Sequence, residues 1–171
     1  MNMLSKEDIK PLFHQGTRQI VVFRLGDEEY GITIDQIKEV AITPVITRMP
    51  QIPAYILGVG NIRGNIIALL DLEEKFGIPR KQVTSINEKS FTLVINHSEF
   101  KMGVRVKEVP NTLTISSADV EESFFTGNHA HDQSYITGIV KRDNRLIVLI
   151  DILRVLGQQE IKQYVNKAVA E

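Results

Sequence analysis

Two stretches of the chain repeat one pattern of apolar and polar positions. Residues 55–77 recur without a gap 80 positions later, as residues 135–157. Seven positions are identical, and most of the others pair one apolar residue with another. In each copy two apolar runs of strand length flank a polar turn, and a short segment follows that can form a single helical turn or two. Each copy therefore predicts a β-hairpin followed by a short helix.

The two predicted hairpins turn at the same place with different residues. Gly64 can adopt the positive φ that a tight hairpin turn requires. The second copy has Asp143 and Asn144 at this point, and short polar side chains tolerate left-handed backbone geometry better than most. The turn is therefore expected in both copies.

The ends of the short helices are also marked in both copies. Asp71 and Asp151 stand where an N-cap carboxylate accepts hydrogen bonds from backbone N–H groups. Gly77 and Gly157 stand where a left-handed C-cap is expected. These positions explain the two aspartates as helix caps, without any need for a pair of catalytic carboxylates.

The segments that precede the two hairpins are similar in design. Residues 19–34 and 90–106 each contain an apolar run, a polar turn, a glycine and an alternating β-branched run, which predicts a pair of strands. One further short strand for each lobe is available at Thr47–Met49 or Thr112–Ile115. The predicted fold is all-β, with two pseudo-repeated barrels of five strands each, short helices and a C-terminal helix.

This pattern divides the chain into three parts. Residues 1–18 are expected to form a flexible tail and residues 158–171 a helix. Between them lies one domain, 19–157, whose lobes are roughly 19–86 and 87–157, with strands free to cross from one lobe to the other. The C-terminal helix has one apolar stripe, which is expected to dock onto a barrel rather than bind a partner. The stripe consists of Ile161, Tyr164, Val165, Ala168 and Val169.

Composition narrows the possible functions. A chain of 171 residues that is 43% apolar can fill the cores of two small lobes. The absence of cysteine fits a cytoplasmic protein without disulfides. With 20 basic and 21 acidic side chains, the chain has no overall attraction for nucleic acid. No secretion leader is recognised and no apolar run is long enough to span a membrane, so direct membrane insertion is not expected.

The sequence offers little catalytic chemistry. His129, His131 and Asp132 resemble the H-x-H-x-D pattern of binuclear metallohydrolases, but Asp132 follows the second histidine directly and the spacing fails. The glycines of residues 58–64 precede a strand rather than open a helix, which is the wrong context for a nucleotide site. No catalytic residue, metal or cofactor is predicted. A small metallohydrolase using His129 and His131 stays as the alternative from another class.

Two stretches carry a resemblance to a known family. The run FRLGDEEYGITIDQIKEV and the later run GVGNIRGNIIALLDLEEKFG resemble the CheW family of chemotaxis coupling proteins, whose pattern combines Y-G-I, N-L-R-G and a D-L helix. The resemblance extends from Gln19 to Gly157. It implies two Src-homology-3-like barrels without catalytic activity. It also implies a cytoplasmic scaffold at membrane-associated receptor arrays, which links the cytoplasmic tips of chemoreceptors to a CheA-type histidine kinase.

The same resemblance implies which residues bind the receptor. These are Ile37, Arg63, Ile66 and Val109, in a groove between the lobes. Alternation alone would instead place the three aliphatic residues in the core. Arg63 could be a solvated turn residue, or it could turn inward and tie its hairpin to the second lobe.

Kinase contact is implied for Ile34 and Glu39, although Glu39 could equally be a solvated charge. The sequence departs from the family pattern at Gly60, Ala68 and Glu73. These departures leave the cognate receptor and kinase open. A twitching or gliding chemosensory system, and the coupling half of a split receiver-containing regulator, are the alternatives within the family.

Overall fold

Two β-sheets and three helices make up the described part of the chain. The computed structural model describes residues 16–79, 89–121, 135–156 and 159–170. The strands are β1 (Thr17–Leu25), β2 (Glu28–Thr33), β3 (Ile37–Ile42), β4 (Ile56–Ile62), β5 (Asn65–Leu70), β6 (Phe91–Ile95), β7 (Met102–Val106), β8 (Asn111–Ser116), β9 (Val120–Glu121), β10 (Ile136–Arg142) and β11 (Arg145–Ile150). The helices are α1 (Leu72–Phe76), α2 (Ile152–Leu156) and α3 (Gln159–Ala170).

The strands form one sheet of six and one of five. The six-stranded sheet has the order β8-β1-β2-β11-β10-β9, and the five-stranded sheet has the order β3-β6-β7-β5-β4. The predicted all-β fold with two lobes is confirmed. The first sheet gains a sixth strand because the two-residue β9 pairs with β10. Thr112–Ile115 lies within β8, whereas Thr47 makes one bridge to Val59.

Each sheet takes a strand pair from one copy of the repeat and a hairpin from the other. Strands β1 and β2 join the later hairpin, because β2 runs parallel to β11 with Gly31 opposite Leu149. The earlier hairpin joins the later strand pair in the same way, with Leu69 opposite Gly103. A Cβ at Gly31 would lie 3.0 Å from Leu149 Cδ2, so the glycine makes room for its neighbour. The sheets therefore combine strands from both predicted lobes, 19–86 and 87–157.

Among the described residues, three hydrophobic cores form because strands are buried on both faces. Along β1, Ile20 and Val22 lie in a core confined to the six-stranded sheet, whereas Val21 and Phe23 lie in a core shared with the five-stranded sheet. Strand β5 divides likewise, since its odd-numbered residues from Ile67 line a separate core of the five-stranded sheet. This double burial explains why the strands read as continuous apolar runs. The shared core joins the two lobes.

Both hairpin turns have positive φ at their two central residues. Arg63 and Gly64 have φ of 52° and 83°, and Asp143 and Asn144 have φ of 48° and 62°. Positive φ at both positions is the geometry of a type I′ turn, whose twist matches that of the flanking strands. The turn predicted in each copy is confirmed. Arg63 also occupies the left-handed region, which places it at the tip of its hairpin.

The aspartates cap the short helices as predicted. The Asp71 carboxylate accepts a hydrogen bond from the Glu74 backbone N–H at 3.3 Å. Asp151 Oδ1 accepts hydrogen bonds from the backbone N–H groups of the second and third residues after it, at 3.1 and 3.3 Å. Gly77 is a left-handed C-cap with φ of 68°. The matching prediction for Gly157 lies outside the described residues.

Loss of either cap is expected to destabilise the fold. We expect Asp71→Ala and Asp151→Ala each to lower the free energy of unfolding by about 0.5–2 kcal/mol, because backbone N–H groups at the helix start lose their acceptor. Both losses should stand at the upper end of that range, since Gln36 Nε2 also donates to Asp151 Oδ1 at 2.9 Å and Arg105 Nη2 lies 3.5 Å from Asp71 Oδ2. Chemical denaturation measures both. Wild-type stability in either variant would contradict the capping role of that aspartate.

Helix α3 packs against the five-stranded sheet. It contacts β4 and β5, Val165 is buried in the shared core, and Tyr164 packs against that core. The side chains of Ile161, Ala168 and Val169, which complete the predicted stripe, lie outside the described part. Within the described ranges, no helix combines the length and apolar character needed to cross a membrane.

Candidate protein-binding site

Two connections between the described strands pass from one sheet to the other. One is the 3-10 turn Ile34–Gln36 between β2 and β3, and the other is the segment 107–110 between β7 and β8. Ile37 follows the first connection directly, and Val109 lies within the second. The two residues occupy matching places, because Gly31 and Gly103 align in the repeat. The fold therefore places both predicted receptor residues where the chain crosses between the lobes.

Arg63 and Glu39 form an ion pair on the five-stranded sheet. Arg63 Nε lies 3.1 Å from Glu39 Oε2, and the side chains are 79% and 24% exposed, respectively. A β-bulge in β3 between Ile37 and Glu39 interrupts its register with β6. The pair brings together one residue predicted to bind the receptor and one predicted to bind the kinase. One of the alternatives had Arg63 turn inward and tie its hairpin to the second lobe. The exposed pair with Glu39 shows that it does not.

The predicted aliphatic residues differ in burial. Ile37 is half-buried and packs against the shared core, whereas Ile66 is 42% exposed and Val109 is 64% exposed. The core positions that alternation suggested are thus wrong for Ile66 and Val109. Ile66 lies next to the hairpin turn, just before the buried residues of β5. Val109 lies in the connection between β7 and β8. Both side chains are accessible to a partner.

Ile34 begins the 3-10 turn that Ile37 ends. The Ile37 backbone N–H donates to the Ile34 carbonyl, and Ile34 is 43% exposed. Two residues therefore separate an exposed aliphatic side chain, predicted to contact the kinase, from a half-buried one, predicted to contact the receptor.

Further exposed aliphatic residues escaped the sequence prediction. Val40 and Ile42 are exposed on β3, which is an edge strand, and Val45 follows it. Leu146 is also exposed, at the position in the second hairpin that matches Ile66. The repeat itself was the signal that could have found Leu146. For β3 the alternation of apolar and polar residues fits either face, and the sequence does not show which strand lies at the edge.

The second hairpin carries paired charges. Arg145 donates to both carboxylate oxygens of Glu29, with Nε and Nη2 at 3.0 and 2.8 Å, and Lys141 lies 2.8 Å from Glu121. The hydrogen bond from Arg145 lowers the pKa of Glu29 below its usual value of 4.5, against the opposing effect of partial burial. The Glu29–Arg145 pair joins β2 to β11. These two strands come from different copies of the repeat and pair in parallel within the six-stranded sheet.

This pair should make stability depend on pH. Because the folded-state pKa of Glu29 is lowered, the pair stabilises the fold fully above about pH 4.5, and the stabilisation is lost as the pH falls through the folded pKa. We expect Arg145→Ala to lower the free energy of unfolding by about 0.2–1 kcal/mol at pH 7, as for other surface ion pairs. Urea titrations from pH 3 to 7 measure the difference. If the free energies of unfolding of wild type and Arg145→Ala differed by the same amount from pH 3 to 7, the stabilising role given to the Glu29–Arg145 pair would be contradicted.

Metal chemistry receives no support from the described ranges, which contain no group of three or more His, Cys, Asp or Glu able to hold a metal ion. His129 and His131, on which the metallohydrolase alternative depends, lie outside the described residues.

Comparison with known proteins identifies the family. The profile of the CheW-like domain matches residues 19–160. The chain is 30% identical over 152 residues to the chemotaxis protein CheW of Klebsiella aerogenes, covering 88% of this chain and 89% of that protein. It is 31% identical over 138 residues to CheW of Helicobacter pylori, covering 81% of each.

The fold agrees with a solved structure. The crystal structure of the scaffolding protein TtCheW from Thermoanaerobacter tengcongensis superimposes with a TM-score of 0.66 at 30% identity, covering 78% of this chain and 88% of that one. This similarity confirms the predicted pair of Src-homology-3-like barrel lobes. The chain belongs to the CheW-like domain family.

Proposed function

We propose that this chain is a non-enzymatic scaffold that couples chemoreceptors to a CheA-type histidine kinase in bacterial chemotaxis. Coupling of receptors to kinase is the standard role of the CheW family, to which the chain belongs. The observations that carry the proposal are the exposed aliphatic side chains of Ile34, Ile66 and Val109 and the Arg63–Glu39 ion pair on the five-stranded sheet. The scaffold acts in the cytoplasm, at membrane-associated receptor arrays.

The receptor-binding part of this surface consists of Ile37, Ile66, Val109 and Arg63. Ile66 and Val109 supply exposed apolar area, which favours a partner that offers an apolar stripe, such as the helical tip of a receptor. Arg63 adds a planar group that can donate to carboxylates or to carbonyls at the end of a partner helix. Apolar side chains combined with one polar anchor are a composition typical of protein interfaces.

Kinase binding is assigned to Ile34 and Glu39. Ile34 is exposed beside the crossing, and Glu39 is only partly exposed because it pairs with Arg63. The ion pair therefore lies on the border between the two binding surfaces. A substitution on one side is expected to affect the other partner only slightly, as long as the pair keeps its geometry.

Duplication of the unit suits this role. A scaffold must hold several proteins at once, and linking two binding events in one molecule raises the effective concentration of the second partner. Two lobes joined by a shared core provide separate faces on one molecule.

Binary titrations test the proposal. The wild-type chain is titrated with the regulatory domain of the cognate kinase and, separately, with a fragment of the receptor's cytoplasmic tip. Saturable binding to both is the expected result. If the wild-type chain bound neither the kinase domain nor the receptor fragment, the proposed function would be overturned.

A further inference from the structure

A glutamine side chain links the 3-10 turn between the lobes to the start of helix α2. Gln36 Nε2 donates to Asp151 Oδ1 at 2.9 Å, and Gln36 Oε1 accepts from the Ile152 backbone N–H at 3.1 Å. One amide group thus satisfies the capping aspartate and an N–H at the start of α2. It joins the residue just before β3 of one sheet to the helix that follows β11 of the other.

A second residue holds the same turn from the five-stranded sheet. The Asn96 backbone N–H donates to the Gln36 carbonyl at 2.9 Å, and Asn96 Nδ2 donates to the Asp35 carbonyl at 3.2 Å. A single 3-10 turn has few hydrogen bonds of its own. Its orientation therefore depends on these contacts to the two sheets and on Arg18 of β1, whose Nη2 lies 3.5 Å from Asp35 Oδ1.

The matching crossing is built differently. Glu108 occupies the position that corresponds to Gln36, and it precedes Val109 as Gln36 precedes Ile37. Its side chain is 71% exposed, with Arg24 Nε at 4.0 Å. The capping aspartate of the other helix, Asp71, has Arg105 at 3.5 Å. The repeat thus offers a crossing of similar sequence context that lacks the glutamine clamp.

We propose that Gln36 is a positioning residue, which fixes Ile34 and Ile37 relative to each other so that the kinase-binding and receptor-binding surfaces are both formed before a partner arrives. The inference rests on the proposed function. A partner that binds a turn already held in place loses less conformational entropy on binding. The clamp therefore contributes to affinity although Gln36 itself need not contact either partner.

Three variants test this inference. Gln36→Met keeps the length of the side chain and removes both hydrogen bonds. Gln36→Glu keeps the acceptor for the Ile152 N–H but brings a second carboxylate against Asp151, where Nε2 now donates. Glu108→Met is the matched control, because it changes the equivalent position without touching the clamp.

The clamp is first measured without partners. Amide hydrogen exchange of Ile152 should become about threefold faster or more in Gln36→Met, because its N–H loses an acceptor. The amide chemical shifts of Ile34 and Ile37 should move as well. Both should stay as in the wild type in Glu108→Met. Unchanged exchange at Ile152 in Gln36→Met would overturn the clamp itself, whatever the partners do.

Partner binding is then measured on protein that is fully folded, as checked by its melting midpoint. We expect Gln36→Met to bind both the receptor fragment and the kinase regulatory domain about threefold more weakly or worse. This is the effect of losing roughly one net hydrogen bond. Gln36→Glu should weaken them at least as much at pH 7. A merely structural glutamine would lower the melting midpoint and leave both affinities unchanged.

The outcomes separate the inference from the proposed function. If the wild type binds both partners and Gln36→Met binds them equally well, the positioning role is overturned and the proposed function stands. The same holds if Glu108→Met weakens binding as much as Gln36→Met does. If the wild type binds neither partner, the proposed function fails and this inference fails with it.

Discussion

Gly58→Ala is expected to lower the free energy of unfolding by about 3 kcal/mol or more, the upper range for forcing extra volume into a packed site. Gly58 has a φ of 141°, and a Cβ there would lie 2.2 Å from the Thr47 carbonyl oxygen. The clash is with backbone, which cannot rotate away as a side chain can. Strand β4 bulges at this point, and the strain would fall on both β4 and the segment that contains Thr47. Chemical denaturation measures the loss.

Gly64→Ala is the matched control for Gly58→Ala. Gly64 also has a positive φ, 83°, but a Cβ there would meet no atom within 4 Å. Its substitution therefore carries the backbone cost alone, about 1–2 kcal/mol for a residue in the left-handed region. If Gly58→Ala were no more destabilising than Gly64→Ala, the close approach to Thr47 would not be a constraint on the fold.

Arg63→Ala is expected to weaken receptor binding by about 1 kcal/mol or more, the level at which an interface residue stands out in alanine scanning. The side chain is mostly exposed, and Glu39 holds it at 3.1 Å. The fold should survive, because an exposed ion pair contributes little to stability. Arginine and alanine both carry a Cβ, so the left-handed φ is equally acceptable to both. Arg63→Lys should restore only part of the affinity, because an ammonium group keeps the charge without the planar fork.

Arg48→Ala controls for the loss of a positive charge, because Arg48 is another exposed arginine before β4. It should leave receptor affinity unchanged. Melting midpoints and separate titrations with receptor and kinase are measured for all three variants. Wild-type receptor affinity in a well-folded Arg63→Ala would remove Arg63 from the interface. If Arg63→Ala lost affinity for receptor and kinase equally and also had a lower melting midpoint, Arg63 would be a structural residue.

Local structure could be predicted from the sequence because it depends on neighbouring residues. The repeat predicted both hairpins, and Gly64 and the pair Asp143 and Asn144 indicated their turns. Asp71 and Asp151 were predicted as caps because an N-cap bonds to N–H groups within the next few residues. Each of these features is decided within a few positions of the chain.

The pairing of the sheets could not be predicted in the same way. Alternation and apolar runs show which strands are buried, but not which strand lies beside which. The parallel contact of β2 with β11 joins residues more than a hundred positions apart. The repeat predicted two lobes divided near residue 86. In the structure, each sheet combines a strand pair from one copy with a hairpin from the other.

The candidate site shows the same limit. The resemblance to the family supplied Arg63 and Glu39, but nothing in their local sequence predicts that they form an ion pair. The role of Gln36 depends on Asp151, which lies far along the chain. Exposure of Ile66 and Val109 required the fold, since residues of this type are most often buried.

Simultaneous binding tests the central claim most directly. The wild-type chain is mixed with saturating kinase regulatory domain, and the receptor-tip fragment is titrated into this complex while the sedimentation of all three components is followed. A scaffold that couples the two predicts a ternary complex containing all three proteins, with receptor affinity close to that of the free chain. If the receptor fragment instead displaces the kinase domain, or if no complex of three forms at saturation, the chain does not couple them.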